Sequence, residues 1–390
     1  MEYGMDGNRL VINLTGKIDA GNAPDVEDQI NEILGTTGAT DVVLDASELE
    51  YISSAGLRVM VKLLKRLSSL IVVEASPSVY EVFEMTGFTQ MMEVRRALRT
   101  IDVAGCECIG RGGNGAVYRL DAETIVKVYH NDTNSLEKVQ ASRVSAQKLM
   151  AYGIPVAIAF DVVKVVGGEG LGYGLVYELL DCKTVGELIH EDPSSAEKWA
   201  HEAAALLKLL HTTEVPEGTF PDARDSGHQW VEVAKDVLSK EDQARLHRLY
   251  DSLPAKNTLV HGDFHTGNMM VQGGEIVLID TDDVAQGDPI IDMAGLALTF
   301  EYITTDDRAM DTLRMTVDEM HRYYDALLKD YYGTDDEALL QRYAYQRKLH
   351  SLVKLLYGLV KTDAVPEPMK SQVIAQMRGG LLQLMNAMGI

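Results

Sequence analysis

The sequence predicts two successive domains: an α/β domain over residues 1–100 and a larger α+β domain over residues 101–390. In the first domain, short apolar strands alternate with helical segments. The second opens with further strands, and from residue 183 its apolar residues recur at spacings of three and four, which is typical of helices. A chain of 390 residues also exceeds what one hydrophobic core usually spans, so we expect a boundary near residues 98–105.

The first domain is predicted to form a mixed sheet covered by helices. Strands are expected at 10–14, 41–45 and 70–74, with helices near 23–34, 55–67 and 78–86. No glycine-rich phosphate loop follows these strands, so we expect no nucleotide site in this domain.

One segment of this domain resembles a known family. Residues 45–57, DASELEYISSAGL, followed by RVMVKLLKRL, are similar to the STAS domain of anti-sigma factor antagonists. The resemblance implies a regulatory phosphorylation site at Ser54, with Ser53 standing where relatives carry Asp, and docking of a protein partner or of a second copy. The alternative is that Ser54 only caps the following helix, which is the commonest use of such a serine.

The second domain begins with a phosphate-binding pattern. Residues 109–117, IGRGGNGAV, fit G-x-G-x-x-G-x-V at Gly110, Gly112, Gly115 and Val117, and a strand with Lys127 at its centre follows. Glycines allow the backbone to approach phosphates closely, and a lysine on the adjacent strand supplies a positive charge to them. Residues 101–182 are therefore the predicted nucleotide-binding lobe.

The chemistry is predicted further along the chain, where residues 261–268 read HGDFHTGN and an apolar strand ends in Asp280. Transfer of a phosphoryl group from a magnesium nucleotide needs a carboxylate to orient the acceptor hydroxyl, and oxygen ligands for the metal. Asp263 is the candidate base, Lys127 the second catalytic residue, and Asn268 and Asp280 the candidate Mg²⁺ ligands.

These motifs together resemble the aminoglycoside phosphotransferase and choline kinase superfamily. The family pattern H-G-D-x-x-x-x-N, then I-D, then G-D-P-x-x-D-[LM]-A is matched at 261–268, 279–280 and 287–294, with Thr266 where many relatives carry Pro. The resemblance implies a bilobal protein-kinase-like fold with a helical C-lobe over 183–390, ATP or GTP with Mg²⁺ as cofactors, and His261 and Asp292 bracing the catalytic loop from behind.

Two further assignments concern the nucleotide. A helix expected at 135–152 contains one carboxylate, Glu137, which is the candidate partner of Lys127; otherwise Lys127 is held by Asp280 and nucleotide. The strand 172–181 is expected to lead into the hinge between lobes, where the backbone from Glu178 to Leu180 contacts the nucleobase. Val126 and Leu179 are expected to sandwich the ring.

The acceptor is predicted to be a small molecule. Gly287 and Asp288 follow Asp280 within eight residues, which leaves no room for the activation segment on which protein kinases dock peptides. The net charge of −23 suits a cationic acceptor, such as an aminosugar or an amino alcohol, although acidity also serves solubility.

Charge and composition exclude several other functions. A net charge of −23 argues against nucleic acid and against an anionic membrane surface as partners. The sequence has no run of 18 apolar residues and no signal-peptide core, and its three Cys form no C-x-x-C pair, so a cytoplasmic protein is expected. One rival function remains: a kinase-fold module that senses nucleotide without turnover and acts in an anti-sigma-type partner switch.

Overall fold

A computed structural model describes residues 1–112, 115–129, 134–167, 172–303, 313–362 and 365–390. The chain forms two compact units. The first contains residues 1–102 together with 163–166, and the second contains residues 103–162 and 167–390.

The first unit is built on a five-stranded mixed sheet in the order β1-β2-β3-β4-β5. β1 and β2 are antiparallel, and the remaining neighbours are parallel. The predicted α/β domain with a mixed sheet is confirmed. Its elements are β1 (Tyr3–Asp6), β2 (Arg9–Ile18), α1 (Ala23–Thr37), β3 (Asp41–Ile52), α2 (Ser54–Leu64), β4 (Ser69–Ala75), α3 (Pro77–Met85), α4 (Phe88–Met91) and β5 (Glu93–Arg96).

Alternation of side chains explains this sheet. Leu10, Ile12 and Leu14 on β2 are buried while their neighbours are not, as expected for a strand with one face on a core. β3 is longer than the predicted 41–45 because it stays paired with β2 across two register shifts. Its last residue therefore lies immediately before the turn that starts α2.

The second unit opens with a sheet in the strand order β10-β11-β9-β8-β7, with α5 following β9 along the chain. The strands of its β7–β8–β9 meander are antiparallel neighbours, as are β9 and β11. β6 (Thr100–Asp102) pairs in parallel with residues 164–166 and belongs with them to the first unit. The elements are β7 (Cys108–Gly112), β8 (Gly115–Arg119), β9 (Thr124–Tyr129), α5 (Leu136–Ala151), β10 (Ala159–Val166) and β11 (Gly172–Glu178).

The rest of the second unit is mainly helical, which confirms the predicted helical end of the chain. Two short antiparallel strand pairs, β12–β15 and β13–β14, interrupt the helices. The motif residues lie in the segments next to these strands. The elements are α6 (Val185–Glu191), α7 (Ala196–Thr212), α8 (Ala223–Val233), α9 (Lys240–Asp251), β12 (Leu259–Val260), β13 (Met269–Gln272), β14 (Glu275–Leu278), β15 (Ala285–Gln286), α10 (Ile290–Ala297), α11 (Val317–Tyr332), α12 (Glu337–Lys361) and α13 (Met369–Met388).

Within the described ranges, no helix has both the length and the apolar character needed to cross a membrane.

Candidate active site

The glycine-rich motif lies on the β7–β8 hairpin. Gly112 and Gly115 face each other across it, and the tip between them, residues 113 and 114, is outside the described residues. A β-carbon on Gly115 would overlap the carbonyl oxygen of Val128 on β9. Gly115 therefore allows β8 to approach the strand that carries Lys127.

The loop of residues 261–268 is held from behind by Asp292, as the family pattern implies. The backbone N–H of His261 donates to Oδ2 of Asp292 at 2.8 Å, and that of Gly262 donates to Oδ1 at 2.6 Å. His211, at the end of α7, contacts Oδ2 through its Nε2 at 3.0 Å. Burial would raise the pKa of Asp292, but the hydrogen bonds from His211 and the backbone hold that pKa below its ordinary range. The carboxylate is fully buried and anchors the start of the loop.

Gly262 and Lys354 shape the turn before Asp263. Gly262 has φ +84°, and a β-carbon there would overlap the carbonyl oxygen of Asp283. Lys354 on α12 donates from Nζ to the carbonyl oxygen of Gly262 at 2.9 Å. Its ammonium therefore lies beside the catalytic loop, at a position that the sequence motifs do not mark.

Asp263 is oriented by two neighbours on its own loop. The amide of Asn268 donates to Oδ2 of Asp263 at 3.2 Å and to its backbone carbonyl oxygen at 3.0 Å. Nδ1 of His265 accepts from the N–H of Gly267 at 3.1 Å, which leaves Nε2 to face Oδ2 of Asp263 at 3.4 Å. Burial would raise the pKa of Asp263, but the hydrogen bond and charge of His265, together with Lys354, hold that pKa well below its usual range. Asp263 is therefore ionised at neutral pH.

Lys127 is held by two carboxylates of the chain that follows β14. Its Nζ lies 2.7 Å from Oδ1 of Asp280 and 2.6 Å from Oδ2 of Asp282. Burial would lower the pKa of Lys127, but Asp282 and Asp280 outweigh burial and raise it. Burial raises the pKa of Asp280 despite Lys127, and the neighbouring Asp282 adds to that effect.

The assignment of Glu137 as the partner of Lys127 is corrected by this geometry. Glu137 is exposed in the first turn of α5, where an acidic side chain is favoured by the helix N-terminus. Asp282, which the sequence analysis did not single out, takes the contact instead.

A cavity of about 450 Å³ is lined by residues of the β7–β8 hairpin, of the segment that follows β11 and of the candidate metal site. Val126 does not line it, contrary to prediction, because its side chain is fully buried within the sheet. Leu179 does line it, together with both apolar and polar side chains. The residues around it include Ile109, Gly110, Val117, Lys127, Ala157, Glu178, Leu179, Leu180, Asn268, Met270, Leu278 and Asp280.

The turn before α2 places the two serines differently from the expected arrangement. Ser53 is the N-cap, and its hydroxyl accepts from the N–H of Ala55 at 3.2 Å. Ser54 is the first helical residue and is exposed, so the alternative that Ser54 is the cap is wrong. Gly56 packs against the sheet so closely that a β-carbon would lie 2.7 Å from side-chain atoms of Ile18 and Ile52.

Comparison with known families decides the relationship. The model of the phosphotransferase enzyme family matches residues 107–343, more than half of the chain. The chain belongs to the phosphotransferase enzyme family. The predicted family and the prediction of a phosphotransferase enzyme are thereby confirmed. This phosphotransferase also carries a STAS domain, which is matched over residues 3–101. The resemblance of residues 45–57 to that domain predicted it.

Individual relatives agree with both parts. A Bordetella bronchiseptica protein, BtrV, described as an anti-sigma factor antagonist, is 38% identical over 89 residues, which are 22% of this chain and 76% of that protein. The anti-sigma-B factor antagonist of Listeria monocytogenes is 30% identical over 94 residues, covering 23% of this chain and 82% of that protein. The solved amicoumacin kinase hAmiN, in complex with AMP-PNP, Ca²⁺ and Ami, covers 76% of this chain and 92% of its own at 18% identity and a TM-score of 0.50. This last likeness shows that the second unit of the phosphotransferase has a kinase-like fold.

Proposed function

We propose that this phosphotransferase moves the γ-phosphoryl group of ATP or GTP to a hydroxyl of a small acceptor. The observation that carries the proposal is that Lys127, Asn268 and Asp280 line one cavity. Asn268 also donates a hydrogen bond to the carboxylate of Asp263. These are the residue types that positioning and electrostatic stabilisation of phosphoryl transfer require. A sensor without turnover would have no need of an oriented, ionised Asp263.

Asn268 and Asp280 fit a magnesium ion as its protein ligands. The Asn268 amide nitrogen is used by Asp263, which leaves its oxygen for a cation, and 34% of the Asp280 side chain is exposed. Hard oxygen donors suit a hard cation that keeps several waters. Asn268 and Asp280 would hold the ion beside the phosphates, where it would supply positive charge to offset the charge that develops on them.

Asp263 is proposed to orient the acceptor hydroxyl and to accept its proton late in the transfer. A carboxylate with a depressed pKa is a weak base, which suits a loose transition state in which the nucleophile needs alignment more than early deprotonation. His265 and Asn268 fix the carboxylate for this task.

We infer that the acceptor is cationic, of the aminosugar or amino-alcohol kind. Burial raises the pKa of Asp283; Lys354 opposes this rise, and the negative charges of Asp263 and Asp280 add to it. An acceptor amine would offset these negative charges, with Lys354 limiting how many positive charges fit.

The STAS domain is proposed to regulate or dock the enzyme through a protein partner or a second copy. Ser54 supports phosphorylation as the switch because its hydroxyl is exposed at the start of α2, where helix N–H groups favour a phosphate. Since Ser53 supplies the cap, a phosphate on Ser54 would leave the cap in place.

The test combines binding with product detection. We expect Mg-ATP or Mg-GTP to raise the melting temperature, and one class of amino-sugar or amino-alcohol to gain 80 Da by mass spectrometry, the mass of one phosphoryl group added. Asp263→Asn should retain the nucleotide-induced shift and lose the product. Nucleotide binding without a phosphorylated acceptor, across both acceptor classes and unaffected by Asp263→Asn, would favour the sensing module in a partner switch.

A further inference from the structure

Lys127 has two carboxylate partners, but one of them has another task. If Asp280 ligates the metal, as proposed above, its carboxylate would be shared between the cation and Lys127, which contacts one of its two oxygens, Oδ1. A lysine that contacts phosphates then needs a different acid to fix its ammonium. The exposed fractions of the side chains fit this division: 34% for Asp280 and 15% for Asp282.

Asp282 is held in place independently of Lys127. The hydroxyl of Tyr129 donates to Oδ1 of Asp282 at 3.1 Å, while Oδ2 meets Lys127 at 2.6 Å. Both oxygens therefore have fixed partners, and Asp282 does not line the nucleotide cavity, unlike Asp280.

α5 does not supply the acid that holds Lys127. Its residues include one carboxylate, Glu137, which is exposed in the first turn. The buried hydroxyl of Ser142 donates to the carbonyl oxygen of Lys138 on the same helix at 3.2 Å. The two carboxylates that contact Lys127 therefore come from the chain after β14.

We propose that Asp282 is the positioning residue for Lys127 during turnover. This inference rests on the proposed phosphotransfer site. Lys127 contacts both Asp280 and Asp282. With Asp280 assigned to the metal, Asp282, anchored by Tyr129, would keep the ammonium aimed at the phosphates.

The first test measures the reactivity of Lys127 in the full chain. Its amine is acylated with N-hydroxysuccinimidyl acetate at fixed pH, and the rate is followed by peptide mass spectrometry. Because Asp282 holds the ammonium at 2.6 Å, Asp282→Asn should free the amine and increase its acylation rate about tenfold. Tyr129→Phe should give a smaller increase, and Glu137→Gln should match wild type.

The second test measures affinity for the magnesium complex of a non-hydrolysable ATP analogue by calorimetry. Asp282→Asn should weaken it about 10-fold or more, because a buried ammonium loses its fixed partner, while Glu137→Gln leaves it unchanged. In the Asp282→Asn background, Ser142→Glu places an acid on α5 and should restore part of the affinity. Tryptophan fluorescence confirms that each variant is folded.

The outcomes separate the two proposals. Wild-type acylation and affinity in Asp282→Asn, or equal losses in Glu137→Gln, overturn the role of Asp282. If the wild-type chain binds no nucleotide at all, the proposed function fails, whereas the acylation rates still decide whether Asp282 controls Lys127.

Discussion

Removing the buried carboxylate of Asp292 should have the largest effect on stability of any single change near the catalytic loop. Asp292→Ala leaves the N–H groups of His261 and Gly262 without their acceptor, and His211 loses a partner. Each buried donor left unpaired costs about 1–3 kcal/mol. We therefore expect the free energy of unfolding of the second unit to fall by about 2–6 kcal/mol, taking both N–H groups together.

The assay follows from where the fluorophores lie. The chain has two tryptophans, Trp199 on α7 and Trp230 on α8, so tryptophan fluorescence reports the second unit and leaves the first unit silent. With a urea m-value of roughly 3 kcal/mol per M, the midpoint should fall by about 1–2 M. The matched control is Glu191→Gln, whose exposed ion pair with Lys183 should be worth less than about 1 kcal/mol.

The pH dependence gives a second check on Asp292. Its folded-state pKa lies below the unfolded value, so its contribution is present above the unfolded pKa and is lost as the pH falls through the folded one. The difference between wild type and Asp292→Ala should stay constant from about pH 5 to 8 and narrow below about pH 4. A midpoint shift no larger than that of Glu191→Gln would refute the idea that Asp292 anchors the loop.

Three further changes test separate parts of the molecule. Asp280→Ala should weaken binding of Mg-ATP by about 10-fold or more while binding of metal-free ATP changes little, as calorimetry can measure; equal effects on both would remove Asp280 from the metal site. Asp263→Asn should lower kcat about 100-fold at unchanged nucleotide affinity. Because the pKa of Asp263 is depressed, wild-type kcat should not decline through protonation of Asp263 between about pH 8 and 5. Gly56→Ala should destabilise the STAS domain by about 1–3 kcal/mol, because the added methyl group would overlap Ile18 and Ile52. The loss should appear as faster hydrogen exchange in β2 and α2, and unchanged exchange would contradict the close packing of Gly56.

The sequence predicted those parts of the site that depend on local spacing. Asp263 and Asn268 lie five positions apart on one loop, and Asp280 follows β14 by two residues, so their proposed chemistry could be predicted from neighbouring residues. Lys354 could not be found this way, because it is 92 positions from the carbonyl oxygen that it contacts. Glu137 was assigned wrongly since the direction of a helical side chain depends on how the helix is rotated against its neighbours, and each residue changes that direction by about 100°.

The fold shows the same division between local and long-range information. The alternation of apolar residues predicted the strands of the first domain, yet β3 extends to Ile52 through pairing with β2, which no single segment reveals. Similarly, Ser53 and Ser54 are the same residue type, so the sequence alone does not show which of them caps α2. The course of the backbone makes Ser53 the cap.

The position of Asp282 two residues after Asp280 bears on the design of inhibitors. Compounds that block a kinase-like enzyme by pushing aside the helix beside the nucleotide work only if that helix carries the acid that holds the lysine. Here Lys127 is paired with carboxylates of the chain that follows β14, and the carboxylate of α5, Glu137, is exposed. A ligand wedged behind α5 would leave that ion pair intact, so selective inhibitors of this enzyme should be directed at the short segment from Asp280 to Asp282.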